Sequence, residues 1–135
     1  MILAVCVDNR LGMAFNQRRQ SQDRKMREAL LAGSGGRKIW TDTYSAAQFE
    51  EEQQARLTID DQWPKRIGRG EIGFAERDLA GIDGANIEEI WLYRWNREYP
   101  ADQWLSLDLS KWRCTTSRDF AGYSHERITE ERYVR

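Results

Sequence analysis

The segment Ile87–Trp95, reading Ile-Glu-Glu-Ile-Trp-Leu-Tyr-Arg-Trp, constrains the fold most. Its branched and aromatic residues alternate with polar ones only approximately, the pattern of a strand buried on most of both faces. Ile2–Val7 is a second such run, closed by the turn-forming pair Asp8-Asn9. Strands of this kind need helices to cover them, and the intervening chain supplies candidates. Ser21 is placed to N-cap a helix over Gln22–Leu31, with Met26, Ala29 and Leu30 on its apolar face and Gly33, Gly35 and Gly36 as its stop. Lys38–Trp40 reads as a strand, Ser45–Arg56 as a second helix, Leu57–Gly70 as loop and Glu71–Ala75 as a third short strand. After the irregular stretch Pro100–Leu109, Trp112–Arg118 and Arg127–Val134 form a hairpin with a long loop. The expected fold is α/β: one domain over residues 1–135, with a mixed, mostly parallel sheet flanked by helices and closed by a C-terminal antiparallel hairpin.

Composition excludes several classes of function. Charged residues make up 32% of the chain and mean hydropathy is −0.80, yet six tryptophans supply core anchors, so a folded, cytoplasmic protein is expected. The apolar run at the start is too short to span a membrane and has no cationic flank, so neither membrane anchoring nor export is expected. Cys6 and Cys114 show no metal-type spacing, and a single histidine, His125, rules out a multi-histidine metal site. Twenty-one cationic and 22 anionic residues leave a net charge of −1, so any attraction to nucleic acid has to come from a local patch.

Several segments, taken in order, resemble dihydrofolate reductase. Met1-Ile-Leu-Ala-Val-Cys-Val-Asp-Asn-Arg-Leu-Gly-Met and the chain on to Asp23 are similar to that family's first strand, substrate loop and acid-bearing helix. Ile90-Trp-Leu-Tyr-Arg-Trp-Asn-Arg, Tyr99-Pro-Ala-Asp, Asp108-Leu-Ser-Lys-Trp-Arg and Glu131-Arg-Tyr-Val-Arg resemble its late strand, its crossing, its Asp-Leu-x-x-Trp turn and its closing strand. Each piece is short; their collinearity over half to two-thirds of the chain carries the resemblance. The family is longer, so the centre of this chain is curtailed.

The resemblance implies that Asp23 is the helix acid that holds a pterin ring and supports its protonation. The spacing of Asp23, Met26 and Leu30 separately puts the carboxylate on the apolar helix face, where desolvation is expected to raise its pKa. The alternative is an acid in the first helical turn, stabilised by the helix dipole. The resemblance also implies an NADPH site, but its phosphate turns differ here. Thr41-Asp42-Thr43-Tyr44 stands where the family has a Gly-Arg-Lys-Thr type turn, and Glu76-Arg77-Asp78-Leu79 where it has Gly-Gly. A carboxylate repels phosphate, and side chains block the close backbone approach that glycine allows.

Other candidates are less specific. Arg18, Arg19, Arg24, Lys25 and Arg27 form a basic cluster suited to nucleic-acid phosphates or an acidic partner, or else a solvated face. Arg94, Trp95, Arg97 and Tyr99 interleave cations and aromatics, a composition of interfaces and base-stacking sites that a strand end packed on its own core shares. His125 has no carboxylate orienter evident from spacing and reads as a surface histidine, and Cys6 reads as a core residue.

The expected function is therefore that of a divergent dihydrofolate reductase-like protein without NADPH-dependent reduction. It would bind a small heterocyclic ligand or a protein partner through Arg18, Arg19, Asp23, Arg27, Arg94, Trp95 and Arg97, with no cofactor. Two alternatives stay open. One is an active NADPH-dependent reductase of a pterin-like substrate that takes its phosphate contacts from Arg18, Arg19 or Arg37. The other is a mobile-element inhibitor or accessory protein that binds nucleic acid or a nucleoprotein.

Overall fold

In the computed structural model, which describes residues 1–135, strand β1 (Ile2–Val7) lies in the middle of a seven-stranded sheet with all six residues buried. β1 pairs in parallel with β6 (Ile72–Phe74) on one side and β7 (Glu89–Arg94) on the other. β4 (Ile39–Thr41) and β5 (Leu57–Ile59) extend the parallel part beyond β6. On the other side β10 (Ile128–Val134) pairs antiparallel with β7, and β9 (Arg113–Phe120) pairs antiparallel with β10. This is the mixed, mostly parallel sheet with a C-terminal hairpin expected from the sequence.

Alternation along β1 divides the core. Ile2, Ala4 and Cys6 face the layer that contains α1 (Arg24–Gly33), and they pack with Met26, Leu30, Phe74, Tyr93 and Trp95. Leu3, Val5 and Val7 face the other layer with Trp40, Trp63, Ile90 and Leu92. A Cβ on Gly73 would collide with the Trp63 indole, so glycine there lets that ring approach β6 closely.

The differences from the sequence reading are local and have physical causes. Asp23, not Ser21, caps α1: its backbone is extended and its carboxylate accepts from Lys25 N at 2.8 Å. The single helix expected over Ser45–Arg56 is two short ones, α2 (Thr43–Ala46) and α3 (Glu51–Gln54). Phe49 turns into the core between them, and Glu50 starts the second with a capping box. The supposed loop 57–70 contains β5 and a 3-10 turn that buries Trp63. The stretch after β1, which resembles the family's substrate loop, contains a hairpin of β2 (Gly12–Phe15) and β3 (Arg18–Arg19), joined by Asn16 and Gln17. Both turn residues have positive φ, 52° and 62°, as a two-residue hairpin turn that matches strand twist requires. β8 (Gln103–Trp104) adds to β2 and completes a small second sheet.

Candidate functional site

All five parallel strands end on one edge of the main sheet, the edge where open α/β sheets place ligands. Asp8, directly after β1, organises the loops there. Its buried carboxylate accepts from the backbone N–H of Arg10 at 2.8 Å and Gly12 at 2.7 Å, and from Gln20 Nε2 at 2.9 Å. It thereby fixes the turn after β1 and draws in the residue that precedes Ser21.

Asp23 is the centre of the first cluster. It is 2% exposed and receives hydrogen bonds from two directions. Lys25 N donates from its own helix, and Tyr123 N (2.9 Å), Ser124 N (2.8 Å), Ser124 Oγ (3.1 Å) and His125 N (3.2 Å) donate from the loop between β9 and β10. The His125 ring adds Nδ1 at 2.9 Å. Burial alone would raise the Asp23 pKa. The Tyr123 N–H, the His125 ring and the N–H groups of Ser124 and Lys25 outweigh it and hold the carboxyl well below the usual carboxylate range. The raised pKa expected from the sequence is therefore reversed: the apolar helix face is there, but the loop brings in enough donors to keep the group ionised.

His125 is buried, at 3% exposure, where the sequence suggested a surface residue without an orienter. Its ring stacks on Trp95 with centroids 4.5 Å apart and planes 18° from parallel, and Tyr99 meets it edge-on. An ionised carboxylate can only accept, so Nδ1 carries a proton, and in the neutral tautomer the Nε2 lone pair points away from Asp23. Nε2 lies 3.1 Å from Ser21 Oγ and 3.0 Å from Tyr99 Oη, and the two hydroxyl oxygens are 3.4 Å apart.

The second cluster lies where the sequence resemblance puts the two phosphate turns. Arg19 reaches from β3 to Glu76, with Nε 3.2 and 3.0 Å from the two carboxylate oxygens, and donates Nη2 to Tyr44 O at 3.2 Å. Its backbone N–H donates to the Tyr44 hydroxyl at 3.0 Å. The guanidinium groups of Arg19 and Arg77 both lie over the Tyr44 ring, each 4.2 Å from its centroid. Asp42 completes the group: one oxygen accepts from Ser45 N at the start of α2 at 2.7 Å, and the other faces Arg77 Nη2 at 3.3 Å. Two carboxylates and two guanidinium groups thus neutralise one another.

The candidate residues are divided among several places. Asp23 and Trp95 meet at His125, and Arg97 holds the same loop through Ser124 O at 3.1 Å. Arg94, one residue before Trp95, alternates to the other sheet face and pairs with Glu131 at 2.6 Å. The basic cluster is not one patch: Arg19 pairs with Glu76, Lys25 with Glu28, and Arg27 donates to Gln22. Arg18 is exposed and makes no ion pair. It lines a cleft of about 290 Å³ with Phe15, Gln20, Tyr99 and Pro100. The contacts of Ser21 with His125, of Arg19 with Tyr44 and Glu76, and of His125 with Asp23 were not found from the sequence, because no spacing links residues that the fold brings together over tens of positions.

A mixed α/β sheet with an acid-capped helix at the carboxyl ends of its strands defines a class that known structures can test. No family model matches the sequence, and no curated protein matches it. Among solved structures, dihydrofolate reductase from Enterococcus faecalis complexed with NADP(H) and RAB-propyl superposes with a TM-score of 0.67. The match covers 100% of this chain and 96% of that one, at 7% sequence identity. The chain has the dihydrofolate reductase-like fold. No helix in it is long and apolar enough to cross a membrane.

Proposed function

We propose that this chain uses the dihydrofolate reductase-like fold without NADPH-dependent reduction and binds a small ligand in the cleft between Arg18 and Tyr99. The observation that carries this reading is the position of Arg19. Its guanidinium occupies the space between the Thr41–Tyr44 and Glu76–Arg77 turns, tied to Glu76 and lying over Tyr44. A dinucleotide phosphate needs free N–H groups at a helix start or a glycine turn. Here the carboxylate of Asp42 takes the N–H of Ser45, Asp61 takes that of Thr43 at 2.8 Å, and Glu76 stands at the second turn. These residues do not fit a pyrophosphate.

Asp23 supports the same reading from the substrate side. Its two oxygens already accept six hydrogen bonds from the chain itself, and a heterocycle would have to displace the 122–125 loop to reach them. The open neighbour is the cleft of Phe15, Arg18, Gln20, Tyr99 and Pro100, in which two aromatic rings stand among polar side chains and one unpaired guanidinium. That lining suits a small, largely polar ligand with one flat or apolar portion and an anionic group.

Thermal-shift titrations with NADPH, and separately with a folate-type antagonist, test this. A ligand at a hundredfold excess over its Kd stabilises the native state by about 2.7 kcal/mol. No shift with NADPH is expected. A clear NADPH shift that is lost when Arg18, Arg19 and Arg37 are replaced would overturn the reading and establish the reductase alternative.

A further inference from the structure

We infer that Ser21, His125 and Asp23 form a nucleophilic relay and that Ser21 Oγ attacks small esters or thioesters that carry an anionic group. This rests on the ligand cleft proposed above and adds a reaction to it. Three independent observations carry it.

The first is the connected geometry. Asp23 Oδ2 faces His125 Nδ1 at 2.9 Å, and His125 Nε2 faces Ser21 Oγ at 3.1 Å, both within the reach required of an orienter, a base and a nucleophile. The ring cannot drift, because Trp95 stacks on it and backbone N–H groups clamp the loop that bears it. Nε2 offers a single lone pair to two hydroxyl groups. The arrangement that satisfies all three has Tyr99 donating to Ser21 Oγ and Ser21 donating to Nε2, which sends the serine proton to the base.

The second is exposure. Asp23 and His125 are buried while Ser21 is partly exposed, so the relay runs from the interior toward the surface and ends at the residue that substrate and water reach. Gln20 and Tyr99, which flank that hydroxyl, also line the 290 Å³ cleft. The third is the supply of donors. The backbone N–H groups of Gln22 and Asp23, immediately after the nucleophile, donate to no group of the chain, and the relay assigns the developing oxyanion to them. Arg18, unpaired at the rim, provides for the anionic group.

The chemistry balances with water as the only co-reactant. Ser21 Oγ bonds to the acyl carbon as its proton passes to Nε2 and the carbonyl electron pair moves to oxygen. Collapse of that tetrahedral species breaks the bond to the alkoxide or thiolate, which leaves with the proton from the imidazolium. Water, deprotonated by His125, then releases the acid and restores Ser21.

The test uses the full chain, an alkyl fluorophosphonate and mono(4-nitrophenyl) succinate. Expected results are one phosphonyl adduct on Ser21 by peptide mass mapping, no adduct there in the heat-denatured chain, and a burst of 4-nitrophenolate. Ser21→Ala, a partly exposed site that tolerates the change, abolishes both signals. His125→Gln slows labelling about 100-fold or more, and Arg18→Met raises KM for the succinate ester with little change in kcat. If Ser21 stays unlabelled in the native chain, or labels equally when denatured, the relay is overturned and the cluster is a structural lock. The ligand reading would survive that result, since NADPH and antagonist titrations test it separately.

Discussion

His125 Nδ1 lies 2.9 Å from Asp23 Oδ2, joining residues 102 positions apart and fastening the loop between the last two strands to the first helix. Around this contact the carboxylate collects four further donors from the same loop, so one acid both caps α1 and holds the C-terminal hairpin in place.

Replacing Asp23 with alanine strips the N–H groups of Tyr123, Ser124 and His125 of their acceptor at a buried site. Each charge-assisted bond contributes about 1.5–3 kcal/mol, but relaxation of the loop toward water recovers much of the sum, and a net loss of about 3–5 kcal/mol is expected. Urea unfolding followed by tryptophan fluorescence measures it. A loss below about 1 kcal/mol would show that the loop holds without the acid.

The same group gives stability an acid-sensitive arm. The Asp23 pKa is depressed in the folded chain and about 3.9 when unfolded, so the unfolded state takes up the proton first. Its contribution is complete above the unfolded value and is lost as pH falls through the carboxylate range toward the lower folded value. Glu71 and Glu88 shift in the same direction, through the N–H of Gly68 and the N-terminal ammonium respectively, so the wild-type slope alone does not isolate Asp23. The difference between wild type and Asp23→Asn does. Between about pH 5 and pH 2 the wild type should lose the stability advantage that it holds over the variant at pH 7, at no more than about 1.4 kcal/mol per pH unit. Parallel curves for the two proteins would assign the acid arm to other carboxylates.

The sequence made the fold readable because the two mostly apolar runs, Ile2–Val7 and Ile87–Trp95, have the pattern of buried strands in a covered sheet. The C-terminal hairpin followed from its two strand-like segments. The site was readable in its members and not in their pairing. Asp23 stood out by its place on α1, but its ionisation depends on N–H groups of residues 123–125, about a hundred positions away, which no periodicity reports. His125 lacked an orienter by spacing for the same reason. Arg19 read as part of a basic patch because its partner, Glu76, belongs to another strand end. The hairpin of β2 and β3 was missed because Asn16-Gln17 lacks the glycine that usually marks such a turn.

The Arg19–Glu76 pair makes a prediction about motion. Glu76 is 6% exposed and its guanidinium partner is mostly covered, so Glu76→Ala removes an acceptor that Arg19 cannot replace with solvent at no cost. A loss of about 2 kcal/mol is expected. Amide hydrogen exchange should accelerate most in residues 16–20, with the N–H of Arg19 released from the Tyr44 hydroxyl, while β1 and β7 keep their protection. Unchanged exchange in that hairpin would mean that Tyr44 alone holds it down.

Gly122 provides the sharpest steric test of the loop. A Cβ there would lie 2.5 Å from the carbonyl oxygen of His125 and 2.8 Å from Asp23 Oδ2, so the backbone that carries the imidazole has to move. Alanine at 122 introduces no charge and neither adds nor removes a hydrogen-bonding group, and its effect therefore reports displacement alone. Overpacking of this kind costs about 1–3 kcal/mol. The displacement pulls Nδ1 away from Asp23 and Nε2 away from Ser21, so Gly122→Ala should lower both the melting temperature and the rate of Ser21 phosphonylation. The alanine variant of Gly35, whose Cβ would meet nothing within 4 Å, separates the two effects. That glycine has a positive φ of 59°, so its replacement strains the backbone and lowers stability through α1 while leaving the Ser21 rate unchanged. Equal loss of labelling in both variants would tie reactivity to global stability, whereas loss confined to Gly122→Ala ties it to the position of His125.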